Sequence, residues 1–267
     1  MKKRCLWIIA LIFCLLLTAC GEEPLPTPPP ATVNAVQTEP AETVPETTLP
    51  EETEPAETMP EHSSLYLPDI PVEDVILYFN EVVLDSEFIN SGDPSYVQKW
   101  TTPIHIMIEG DPTDADLAVL YSFTDWLNKV EGFPGIDFTE DPMVRNLRLY
   151  FCDQQEMVAL MGAQFESMDG SVTFWYDSDE IYDAIICVRS DLDQQLRNSV
   201  ILEEIYNGLG PIQDTALRPD SIIWKEFSQP QWLTPMDELL LRLLYHPDIL
   251  PGMDAQQCGQ VIRELYY

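Results

Sequence analysis

Two adjacent carboxylates, Glu203 and Glu204, are the residues in this chain whose types and spacing suit chemistry most directly. They lie in "ILEEIYNGLGPIQD" (201–214), a segment of helical period that Gly210 and Pro211 bring to a stop. At about 100° per residue, Ile201, Leu202, Ile205, Gly208 and Leu209 share one broad apolar face. Glu203, Glu204 and Asn207 fall on the opposite arc, with Val200 between them. Such a helix packs on one side and aims two carboxylates and an amide the other way. On a solvated face they are ordinary surface acids. Buried, they need a cation, and Arg197, Arg218 and Arg242 are the candidates. Without one, a carboxyl of the pair has its pKa raised, because like charges resist joint ionisation.

The same helix positions hold ligand, base and ligand in an H-E-x-x-H zinc peptidase. The extended metzincin pattern, H-E-x-x-H-x-x-G-x-x-H, lays onto Glu203, Glu204, Asn207, Gly210 and Gln213, with Asp214 next door. Downstream, "SIIW" (221–224) resembles the metzincin Met-turn segment, with Ile223 where the methionine would stand. "LTPMDELLLRLLYHP" resembles the closing helix of matrixin-type enzymes. Together with "QKWTTPIHIMIEG" and "PGM" (251–253), these pieces most resemble the bacterial domain-of-unknown-function family 2927, over about residues 70 to 260. That resemblance implies a metzincin-like fold and no established activity.

The resemblance leaves Glu204 in the general-base position, catalytic only if the protein is active. Glu203, Asn207 and Gln213 become degenerate ligand positions, with Asp214 beside them. Zinc takes imidazole, thiolate and carboxylate well, whereas amide oxygens suit harder cations. No zinc, other metal or cofactor is therefore expected. An oxygen-ligated Ca²⁺ or Mn²⁺ at Glu203, Asn207 and Asp214 is the alternative. The three histidines offer no rescue: His62 is in the tether, His105 reads as one strand residue, and His246 sits at a helix end, where a cation favours the dipole.

The elements that must position this helix read as α+β. A helix is expected over 72–85. A strand carrying Ile104, Ile106 and Ile108 follows, then a long helix opened by Thr113 with Asp116 and ending near Gly132. "GIDFTED" and "RNLRLYFC" read as strands, and "DQQEMVALMG" as a short helix. "SVTFWYDSDEIYDAIICVRS" reads as two strands about an acidic turn. The central helix comes next, then one opened by Thr234 and Pro235, then a last helix from about Asp254. The expectation is a metzincin-like mixed sheet of four to five strands packed with helices, after a disordered tether.

The first residues give an address. Three cations precede the apolar run "CLWIIALIFCLLL", and "LTACG" follows. That order is a secretory signal peptide (1–20), and its end resembles the bacterial lipobox, which makes Cys20 the lipid-attachment residue. The lipoprotein resemblance implies a diacylglyceryl group on the Cys20 thiol, with palmitate-like chains, and a domain facing outward from the cell membrane. Residues 21–66 form a Pro-, Glu- and Thr-rich linker with too few large apolar side chains to bury anything. Extended, it could hold the domain, 67–267, up to ~130 Å from the lipid.

The net charge is −33; removing the leader's three cations and the tether's ten acids leaves about −26 on the domain. Its cations are scattered, so nucleic acid is excluded as a partner and the lipid anchor is the expected membrane contact. Cys152 and Cys187 look like buried strand positions, either free or bridged to each other, and Cys258 is left over. Ser199 and Ser221 lack a nucleophile-elbow context. Phe174, Trp175, Tyr176, Trp224 and Trp232 could line a groove, or simply pack. The first expectation is a pseudo-metallopeptidase that binds a peptide or cell-wall ligand; the alternative is an atypical hydrolase using Glu204 as base with a non-zinc ion.

Overall fold

A computed structural model describes residues 4–7, 63–84 and 95–267. Cys20, His62 and most of the linker lie outside the described residues. Six helices are described: α1 (Val72–Phe79), α2 (Asp114–Leu127), α3 (Gln154–Met161), α4 (Gln194–Gly208), α5 (Pro235–Leu244) and α6 (Ala255–Tyr266). A π turn, Asn80–Leu84, continues α1. The helix starts obey local rules. Thr113 accepts from the Asp116 N–H while the Asp116 carboxylate accepts from the Thr113 N–H, and Thr234 with Asp237 repeats the box at α5, with Pro235 in the first turn.

The sheet has seven strands: β1 (Arg4–Trp7), β2 (Lys99–Trp100), β3 (Ile104–Gly110), β4 (Ile136–Phe138), β5 (Leu147–Cys152), β6 (Gly170–Asp177) and β7 (Glu180–Arg189). Their order is β1-β6-β7-β5-β3-β4, with β2 pairing separately with β7. Five of these are the expected strands, and the fold is α+β as expected. The two additional strands are short: β2 contributes two residues to β7, and β1 lies within the expected signal peptide. β3, β4, β5 and β7 run parallel, whereas β6 and β1 are each antiparallel to their neighbours.

Alternation along the strands divides the core in two. Leu147, Leu149 and Phe151 of β5, with Ala184, Ile186 and Val188 of β7, join the large cluster that α1, α2, α4, α5 and α6 cover. Cys152 and Cys187 point the other way, into a small cluster with Met157 and Met161 of α3. Packing begins before residue 67. Leu65 is buried, and the Tyr66 ring lies 5.3 Å from that of Tyr266.

Candidate functional site

The central helix is fastened at both ends. Asp193 caps the start of α4 by accepting from the Gln195 and Leu196 N–H groups. At its other end the Trp100 indole N–H donates to the Gly208 carbonyl at 2.9 Å, and the Tyr245 hydroxyl donates to the Leu209 carbonyl at 2.7 Å. These bonds satisfy carbonyls that a helix C-terminus leaves without partners. Gly210 then turns the chain at φ 127°, where a Cβ would lie 2.4 Å from the Gln98 carbonyl oxygen.

The carboxylates do not face open water. Glu204 is 3% exposed and Asn207 1% exposed, while Glu203 is half-buried. A Cβ placed on Gly170, the first residue of β6, would meet the Glu204 Cγ and Oε1 at 2.8 Å each. The strand therefore starts directly over this carboxyl. Among the described residues neither glutamate makes a hydrogen bond or ion pair, and the Asn207 Oδ1 is buried without a hydrogen-bond partner. Burial pushes the Glu204 carboxyl well above the usual carboxylate range, and nearby Asp214 adds to the effect. Glu203 is raised in the same direction by burial, then by Asp214, Glu204 and Asp169.

The expected counter-ions are elsewhere. Arg197 donates to Asp116 at 2.8 Å, Arg218 pairs with Asp220, and Arg242 pairs with Glu238 one turn away on α5. The wheel read α4 alone, and arginine contacts depend on where α2 and α5 pack against it.

Of the degenerate ligand positions, Glu203 and Asp214 come within electrostatic reach of each other and of Glu204 in the general-base position, and Asn207 lies one turn along from the glutamate pair. Gln213 is tied through its backbone N–H to the Val82 carbonyl and is not among the groups that perturb the pair. The segment carrying Asp214 is pinned by Thr215 and Ala216, which both donate to the Glu81 carboxylate. Zinc does not fit this set: it offers carboxylate and amide oxygens only, and among the described residues no three His, Cys, Asp or Glu side chains are grouped to hold a metal.

The other candidates are structural. His105 Nδ1 lies 2.6 Å from Asp137 on the neighbouring strand. Ser221 donates to buried Asp237, with Tyr78 as their third partner and no histidine in the group. Cys152 and Cys187 are buried free thiols that share the small cluster, and Cys258 is a buried free thiol of α6. Phe174 is core, and Trp232 packs edge-on against Phe123. Sequence reading missed Gly170, beginning the strand one residue late. Its signal was the Asp-Gly pair ahead of a β-branched and aromatic run.

No curated protein and no solved structure gives a match. The family profile described as "Protein of unknown function (DUF2927)" matches residues 73–264, the span from α1 to α6 that holds the carboxylate pair, and the chain belongs to that family.

Proposed function

We propose that this is a lipid-anchored, outward-facing bacterial protein whose metzincin-like domain binds a peptide or cell-wall ligand without zinc hydrolysis. The supporting observation is the antiparallel strand β6 starting over Glu204. In the register that β1 takes, such a ligand would run antiparallel to β6. β1 pairs Arg4 with Tyr176 and Trp7 with Thr173. Three further residues in that register would lie opposite Val172, Ser171 and Gly170, above the carboxyl. If the leader is removed at Cys20, β1 leaves with it, and the outer edge of β6 becomes free to accept an extended segment. Main-chain hydrogen bonds at such an edge supply affinity and pockets beneath supply selectivity. Anchoring would rest on lipid at Cys20; no helix among the described residues is long and apolar enough to cross a membrane.

A second reading has Glu204 as the base of an atypical hydrolase, with an oxygen-ligated ion at Glu203, Asn207 and Asp214. The unpartnered Asn207 Oδ1 favours it, because carboxylate and amide oxygens suit Ca²⁺ or Mn²⁺. Three measurements on the purified lipoprotein separate these readings. Mass spectrometry should find the diacylglyceryl mass on Cys20. Elemental analysis should find no stoichiometric ion. Soluble wall peptides should protect the amides of residues 170–176 from hydrogen exchange. A bound ion lost in Glu203→Ala would overturn the binding reading in favour of the second. Ligand binding that leaves β6 unprotected would remove the strand-addition geometry.

A further inference from the structure

In a chain with 46 acids against 13 lysines and arginines, the cations are scarce, and most of those described are already engaged. Arg148, Arg189, Arg197, Arg218 and Arg263 each pair with a carboxylate. Lys99 donates to the Leu244 and Ile249 carbonyls. Against that background one cavity stands apart. It has a volume of about 340 Å³ and lies between the end of α2, α5, α6 and the start of the packed region, sharing no residue with the α4 carboxylates.

Its walls are rich in hydrogen-bond donors. Lys129, just past the end of α2, has no ion-pair partner among the described residues. Arg242 meets Glu238 at 3.5 Å through one nitrogen, which leaves most of its five N–H donors uncommitted. His246 Nδ1 lies 3.2 Å from the Asp248 backbone nitrogen and 3.6 Å from the Asp248 carboxylate, which leaves Nε2 as the ring's other polar atom. Ser63 accepts from the Leu65 N–H and keeps its hydroxyl proton to give. Trp126 adds an aromatic face, and Glu131 is the one acid in the lining. Two cations, an imidazole and hydroxyls line the cavity, with Glu131 in the lining and Glu238 and Asp248 beside Arg242 and His246, in a domain whose overall field repels anions. The volume is at the small end for ligand pockets, the size of a sugar or a short acid.

We infer that this cavity is a binding site for a small anion, a carboxylate or phosphate carried on a sugar-sized body that lies against Trp126. The carboxylate could arrive on a free ligand or from the chain itself, since Glu61 precedes Ser63 by two residues in sequence. The reading is independent of the α4 site.

The test is calorimetric titration of the full chain with glucose 6-phosphate, glucuronate, inorganic phosphate and, as the neutral control, glucose. The charged sugars should bind and glucose should not. Lys129→Ala and Arg242→Ala should each weaken binding about tenfold, as loss of a charge-assisted donor does. Lys129 is exposed, so its removal leaves the fold intact. A second chain, with Glu51, Glu52, Glu54, Glu57 and Glu61 all changed to Gln, separates the two sources. Tighter probe binding in that chain assigns the site to the linker's own carboxylates, and unchanged binding assigns it to a free ligand. Equal affinity for glucose and glucose 6-phosphate overturns the inference. So does binding indifferent to Lys129→Ala, or no binding of charged probes by either chain.

Discussion

Glu204 is a carboxyl group with no internal partner for its charge, and that defines its thermodynamics. Its folded pKa is raised by burial and by Asp214, so the folded state holds a proton that the unfolded chain releases. The resulting stabilisation is full below the unfolded value of 4.5 and is lost as pH rises through the folded value. Glu203 acts in the same direction. Glu204→Gln should therefore raise the unfolding free energy by about 1–3 kcal/mol at pH 7.5, the cost of an uncompensated buried polar group. That advantage should shrink as pH falls toward 4.5, measured by thermal unfolding across the range. A gain that stays constant with pH would show that Glu204 keeps its charge in the folded protein. Asp116 is the opposite case. Burial alone would raise it, but hydrogen bonds from Arg197, Thr113 and Gln194 outweigh that and hold it below the usual range. Its contribution is present above 3.8 and is lost only as pH falls further, outside the window in which Glu204 acts.

Between elements, the Asp116–Arg197 pair is the polar tie that couples α2 to α4. Both side chains are almost fully buried, Asp116 also caps α2, and Arg197 donates to the Ser190 carbonyl. Asp116→Ala should cost about 3–5 kcal/mol in chemical denaturation, because it strands a buried guanidinium. The double change Asp116→Leu with Arg197→Met should recover part of that loss; two fully additive losses would mean the residues act separately. The halves of this tie differ in how readable they were. Thr113, Asp116, Thr234 and Pro235 mark helix starts through neighbours within three residues, so the sequence displays them. The burial of Glu204 depends on β6, 34 residues earlier by number (170 against 204), arriving over α4. A wheel cannot see a strand. β2 escaped notice for the same reason: two residues have no period, and only their partner β7 makes them a strand.

At the scale of the whole molecule, charge dominates. About −26 of the net −33 falls on residues 67–267 and repels itself, and compaction brings those charges closer. Raising salt from about 20 mM to about 0.5 M should stabilise the protein by about 1 kcal/mol, roughly 2–4 °C in Tm. A Tm unchanged or lowered by added NaCl would mean that local pairs, not the overall field, set the balance. The order of helices and strands was visible at this scale because periodicity is local; the division of the core by the two sheet faces was not, since it depends on register between β5 and β7.

The two ends of the packed region also meet. The Tyr266 hydroxyl accepts from the Leu67 N–H and donates toward the Leu67 and Ile70 carbonyls, while the Tyr66 ring touches those of Tyr266 and Tyr267. Breaking these contacts would therefore loosen the start of the packed region and its final helix together, since one tyrosine hydroxyl serves both.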